Sequence, residues 1–217
     1  MKLFKENEPL SALTHFAGTL LSVAALVLMI IFGTIYGKAS HVVGFAIFGS
    51  SLILLYGASF VYHFIPQKTK AKIILQRLDH AMIFILIAGT YTPLCLTVPQ
   101  RGWGWSIFGV IWGLAIVGFL LKITGLKIKN YLSVLIYLAM GWLIVIAISP
   151  IMQWLDAGAI RWLFAGGIMY SVGCIFFALD NKIPRTTWFG MHEIFHIFVL
   201  AGSFSHFWLM LKYVAHY

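Results

Sequence analysis

Acidic side chains are scarce in this sequence. Its 217 residues include six Asp and Glu together, against fifteen Lys and Arg, and only 10% are charged. A soluble globular domain has about 25% charged and roughly 45–50% apolar residues. Here 61% are hydrophobic, which excludes a water-soluble globule and predicts a protein integral to the membrane. The net charge of +9 does not point to nucleic acid, because the basic residues sit in short gaps between apolar runs. That is the charge pattern of a membrane protein. Cysteine is nearly absent. Cys95 and Cys174 lie inside apolar segments without CxxC spacing, so they read as buried thiols, neither a disulfide pair nor metal ligands. No low-complexity tract, clear internal repeat or water-soluble domain stands out. The first apolar run is too long for a signal-peptide core and leads into further spans.

A span needs about 20 mostly apolar residues. Seven segments meet that length: Leu10–Tyr36, His41–Ile65, Asp79–Val98, Gly102–Ile123, Tyr131–Pro150, Ile160–Leu179 and His192–Leu211. The expected fold is an all-α, seven-transmembrane helix bundle forming one domain over residues 1–217. Short gaps predict antiparallel neighbours. Lys2, Lys5, Lys68, Lys70, Lys72, Arg77, Lys122, Lys127, Lys129, Lys182 and Arg185 fall on one side of the membrane in this scheme, eleven in all. Only Lys38, Arg101, Arg161 and Lys212 fall on the other, four in all. The positive-inside rule then predicts a cytoplasmic N-terminus and an outside C-terminus, and the expected location of this multi-pass protein is the cell (plasma or inner) membrane.

Ionisable groups inside spans are costly, so each one asks for a functional reason. His63 ends the second span, Asp79 opens the third, and His192 and His196 open the seventh, all on the cytoplasmic side. His192 and His196 stand at i and i+4, on one helix face about 6 Å apart along the axis. Ser59 and His63 have the same spacing. Three imidazoles suit Zn²⁺, which takes neutral histidine nitrogens and keeps an open position in a catalytic site. Asp79 would offset the ion's charge directly or hydrogen-bond its water, and Ser59 would orient that water or a substrate carbonyl. Asp79 also reads as a helix cap or an ion-pair partner of Arg77. Ser59 also reads as bonding back to its own helix.

His-Glu-Ile-Phe-His, residues 192–196, has the letters of a metalloprotease helix in which Glu193 would be general base. The third histidine lies upstream in another span, unlike the downstream ligand of common zincins. Glu193 at the membrane boundary reads as an exposed carboxylate. His206 lies about 15 Å further along its helix than His196 and reads as a packing contact beside Ser203. His15 reads as packing or as an outer partner of the site, and His80 as pointing about 100° away from Asp79. His41 and His216 fall at the outer surface. Gly89-Thr-Tyr-Thr-Pro93 reads as a proline break in the third span, with polar side chains able to satisfy freed backbone groups. Trp103, Trp105 and Trp154 suit an aromatic belt at the outer interface.

Ser59-x-x-x-His63, Arg77-Leu-Asp79-His80, Ala88-Gly-Thr-Tyr-Thr-Pro93 and His192-Glu-Ile-Phe-His196 together resemble the haemolysin III group of the PAQR (progestin and adipoQ receptor) family. The resemblance covers nearly the whole chain. It implies zinc held by His63, His192 and His196, with Asp79 acting on a zinc-bound water and Ser59 close by. Kinship of that family with alkaline ceramidases implies hydrolysis of a lipid amide or ester, and bacterial members are linked to membrane homeostasis. Glu193 does not carry over, because receptor members can lack an acid there. The functions open to the sequence are a zinc-dependent intramembrane lipid hydrolase, a non-enzymatic sensor of membrane state with structural zinc, a pore-forming haemolysin and, more remotely, a protease. A membrane lipid is the expected substrate or ligand.

Overall fold

The computed structural model describes residues 8–66, 68–126, 129–180, 182–183, 186 and 189–217. Lys2, Lys5, Lys127 and Arg185, which entered the charge count above, lie outside them. The described chain is helical throughout. The helices are α1 (Pro9–Tyr36), α2 (Ala39–Phe64), α3 (Lys70–Thr97), α4 (Arg101–Ile123), α5 (Asn130–Gly141), α6 (Ile148–Trp154), α7 (Ala157–Leu179) and α8 (Met191–Lys212). A 3₁₀ segment, Trp142–Ala147, joins α5 to α6 and makes them one interrupted span. Seven helices, counting that span as one, are long and apolar enough to cross a membrane.

One helix start and the place of the interruption differ from the sequence reading. The third helix starts at Lys70 rather than at Asp79, so Asp79 sits nine residues inside it, about 13 Å along the axis. Its first turns expose Ile73 and Ile74, which shows that the helix outlasts its packed stretch. Pro93 does not end this helix, which continues to Thr97. Hydroxyls of Thr90, Thr92 and Thr97 donate to the carbonyls of Leu86, Ala88 and Pro93, four residues earlier, so polar side chains line the turns around the proline. The break lies instead in the fifth span. There the Tyr91 hydroxyl is 2.9 Å from the Met140 carbonyl and 2.7 Å from that of Gly141, and accepts the N–H of Ile144 at 2.9 Å. One hydroxyl thus serves the backbone groups that the interruption frees, as a membrane interior demands.

Packing runs in chain order. α1 packs on α2, α2 on α3, α3 on α4 and α7 on α8, and α8 returns to α1. The interrupted fifth span touches its neighbours only lightly. Small residues permit the closest approaches. A Cβ on Gly44 would lie 2.8 Å from Cα of Pro93, and one on Gly89 would overlap the Ser51 side chain. Phe45, Phe48, Tyr56, Phe84 and Met29 fill the centre, while Leu20, Leu21 and Ile35 face outward, as lipid contact requires. Between the helices lies a cavity of about 160 Å³. It reaches His192 and His196 at one end and His206 at the other, a distance of about 15 Å along α8.

Candidate metal centre

The start of α8 is built before any ligand is placed. Glu193, in the first turn, accepts the N–H of Gly190 through Oε2 at 2.8 Å and the hydroxyl of Ser11 through Oε1 at 2.8 Å. It caps its own helix and ties it to α1. Glu193 is only 1% exposed, so the expectation of an exposed carboxylate is corrected: both oxygens are engaged in structure. Asp180, just past α7, accepts the backbone N–H of His192 at 3.1 Å.

With α8 fixed, its 3.6-residue turn puts His192 and His196 on one face. His63 meets them from the last turn of α2. Nε2 of His192 lies 3.3 Å from Nε2 of His63 and 3.1 Å from Nε2 of His196. One ligand atom from each of the three lies within 4.8 Å of the others. Four nitrogens around zinc at about 2.0–2.1 Å would stand roughly 3.3 Å apart at the corners of a tetrahedron. The observed separations match that edge. Hydrogen bonding alone does not account for them. Nε2 of a neutral His192 offers either one proton or one lone pair, so it makes one well-formed hydrogen bond and leaves its contact with the other imidazole unsatisfied. A cation at the centre resolves the conflict.

The outward nitrogens support the same conclusion. Nδ1 of His63 is 2.6 Å from Oε2 of Glu8, and Nδ1 of His196 is 3.1 Å from Oγ1 of Thr14. Nδ1 of His192 faces Oδ2 of Asp180 at 3.7 Å. Partners on Nδ1 place the proton there and turn the Nε2 lone pair inward, as they do around metal-bound histidines. Burial alone would raise the Glu8 carboxyl. The hydrogen bond from His63 and the nearby Lys72 charge outweigh it and hold the carboxyl below its ordinary range. Glu8 is therefore an anion at neutral pH.

The sequence matches the family described as Haemolysin-III related across residues 4–207. The chain belongs to the haemolysin-III family. It is 44% identical over 208 residues to a hemolysin-3 homolog of Bacillus subtilis (strain 168), covering 96% of this chain and 94% of that one. It is 42% identical over 214 residues to hemolysin-3 of Bacillus cereus, covering 99% and 94%. A human protein, monocyte to macrophage differentiation factor, is 24% identical over 173 residues, covering 77% of this chain and 69% of its own.

Within this haemolysin-III protein, Asp79 is not one of the converging ligands. It lines the cavity beside His192 and His196, as does Ser59, which is 2% exposed. His80 lines that cavity too, although successive side chains on a helix diverge by about 100°, because the cavity wraps around this part of α3. His15 stacks on His196 with ring centroids 3.6 Å apart and planes 13° from parallel. It fixes the face of that ring. His206 stacks on Tyr170 at 5.7 Å, and it is Tyr56 and Tyr170 that bond Ser203. His41 is 3% exposed and accepts the N–H of Lys38, so it is a buried cap and not a surface group.

Glu8, Thr14 and Asp180 escaped the sequence reading. Scarcity was the signal that could have found two of them. Of six acids in the chain, Glu8, Asp79, Asp180 and Glu193 all fall at the histidine end of the bundle. Thr14 carried no comparable signal, because a threonine in an apolar span usually bonds its own helix.

Proposed function

We propose that this protein is a zinc-dependent intramembrane hydrolase of lipid amides or esters, with His63, His192 and His196 holding the metal. The observation that carries the reading is the convergence of three Nε2 atoms at the end of an apolar cavity inside a membrane bundle. Zinc bound there supplies Lewis acidity and lowers the pKa of water toward neutrality. The lipid's chain lies along the apolar cavity, with its carbonyl at the histidine end. Ser59 donates a hydrogen bond to the carbonyl oxygen and orients it. Asp79 accepts a proton from the attacking water. It returns that proton to the departing nitrogen or oxygen as the carbon–nitrogen or carbon–oxygen bond breaks. Water is thereby split between an acid and an amine or alcohol. The excess of basic residues at this end supports a site that faces the cytoplasm and draws lipid from the inner leaflet of the cell membrane. This is the PAQR-type chemistry that the sequence motifs imply, and its role would be in membrane homeostasis.

A second reading also has an observation behind it. The ligand set and its partners join α1, α2 and α8, which is what a structural zinc in a membrane-state sensor would do. Asp79→Asn separates the two. The hydrolase reading expects zinc content and melting temperature to stay unchanged while cleavage of ceramide or bacterial lipid falls by at least about 100-fold, the usual scale of general acid–base catalysis. No cleavage by the zinc-loaded wild type, in an assay where a known ceramidase works, removes the hydrolase reading and leaves the sensor.

A further inference from the structure

Two lysines at the histidine end are buried, and they are satisfied differently. Lys72 donates to the Tyr62 carbonyl at 2.7 Å and lies 4.0 Å from the centre of the Tyr62 ring. It caps the end of α2. Lys122, in the last turn of α4, is 9% exposed and donates to the Ser133 hydroxyl at 2.6 Å. Its side chain turns inward and lines the cavity with Asp79 and His80. No carboxylate among the described residues pairs with it. A lysine that merely reaches for the interface would extend into water. This one keeps its charge in the cavity wall with one neutral partner, and an ammonium has three protons to donate. Leaving a charge there without an anion is costly.

The surroundings fit an anion brought from outside. Three residues beyond Lys122, Gly125 has φ +75, and a Cβ there would overlap the Arg77 guanidinium. Arg77 thus lies across the corner where α4 ends, and it adds positive charge near that end of the helix. Below Lys122 the wall turns apolar, with Ile83, Ile87 and Leu138. A charged head with a chain beneath it matches this order. Asp79 shares the wall, so a doubly charged phosphate monoester would meet about twice the repulsion that a singly charged diester would.

From this geometry we infer that Lys122 is the anion-binding subsite of the cavity and that the ligand is a net-anionic phospholipid bound through its phosphodiester. The inference rests on the hydrolase reading for the idea that lipid enters the cavity, but its test is binding. Zinc-loaded full-length protein in phosphatidylcholine nanodiscs is titrated with a short-chain fluorescent phosphatidylglycerol and with its phosphatidylcholine counterpart. The wild type should bind the anionic lipid roughly tenfold more tightly, the scale of one hydrogen bond to a charged group. Lys122→Met should bring the two within about twofold of each other, and Lys122→Arg should keep most of the preference. Zinc content of each variant reports folding, and Lys122→Gln replaces the Met variant if that one loses metal. Equal affinities in the wild type overturn the inference. So does a preference that survives in Lys122→Met, which would move the charge recognition to Arg77. Displacement of the lipid by millimolar inorganic phosphate, with no such effect from chloride, would make free phosphate the ligand and overturn the lipid assignment. Lipid cleavage without charge preference removes this subsite and leaves the hydrolase. A Lys122-dependent preference without cleavage does the reverse.

Discussion

At the start of α8, three imidazole nitrogens face one another across about 3 Å. Seven residues further on, the hydroxyls of Tyr56 and Tyr170 both bond Ser203, at 2.7 and 2.9 Å, and Tyr56 also reaches the Val199 carbonyl at 3.3 Å. Both groups are polar, buried and assembled from distant parts of the chain. The deeper one is closed, because its protons and lone pairs are used within the protein. The shallower one is closed only on its outer side, where Glu8 and Thr14 take Nδ1 atoms, and stays open on its inner side. A closed polar cluster holds helices together. One left open toward its own centre is a receptor for something that is not protein.

The contrast can be broken at several points. The largest effect should come from His63→Ala or His196→Ala, each losing stoichiometric zinc by elemental analysis of purified protein. Undiminished zinc in both would erase the distinction. Glu8→Gln should weaken zinc binding by about 10–100-fold in competition with a chelator, the range for partners of metal-bound histidines. Asp180→Asn should lie at the low end of that range, since its 3.7 Å contact is longer than a hydrogen bond. Changes in the closed cluster should behave in the opposite way. Ser203→Ala should cost about 1–3 kcal/mol of stability and leave zinc affinity untouched, and Tyr91→Phe, outside that cluster at the interrupted span, should do the same. The smallest effect should be that of Glu193→Gln. A loss near 1 kcal/mol and unchanged metal content are expected from weakened capping. Abolished activity with normal folding would restore Glu193 as a general base.

Much of this was legible in the sequence. Seven long apolar runs gave the seven helices, and topology alone brought His63, Asp79, His192 and His196 to one end. What stayed hidden depends on side-chain direction. The sequence reading opened the third helix at Asp79, whereas α3 begins nine residues earlier, and Asp79 lines the cavity without joining the three histidines. Glu193 looked exposed because its position in the chain is at a boundary; its two bonds, to Gly190 and Ser11, appear only when α1 is packed beside α8. The interruption was placed at Pro93, the obvious breaker. It falls instead at Trp142–Ala147, just ahead of Pro150, which has no N–H to offer the carbonyl of Ile146 four residues earlier. Hydroxyls near Pro93 bond nearby carbonyls, and Tyr91 from the same stretch serves the other helix.

That interruption also changes the phase of the fifth span. A 3₁₀ turn advances about 120° per residue against about 100° in an α-helix, so six such residues rotate everything after them by roughly a third of a turn. They also lengthen the span by about 3 Å. Pro150 and Ile151, beyond the segment, are buried as a result. On an uninterrupted helix the same two side chains would point about 120° away from their present direction. The phase of α6 thus follows from an interruption whose freed backbone groups are held by the Tyr91 hydroxyl, which belongs to a different helix.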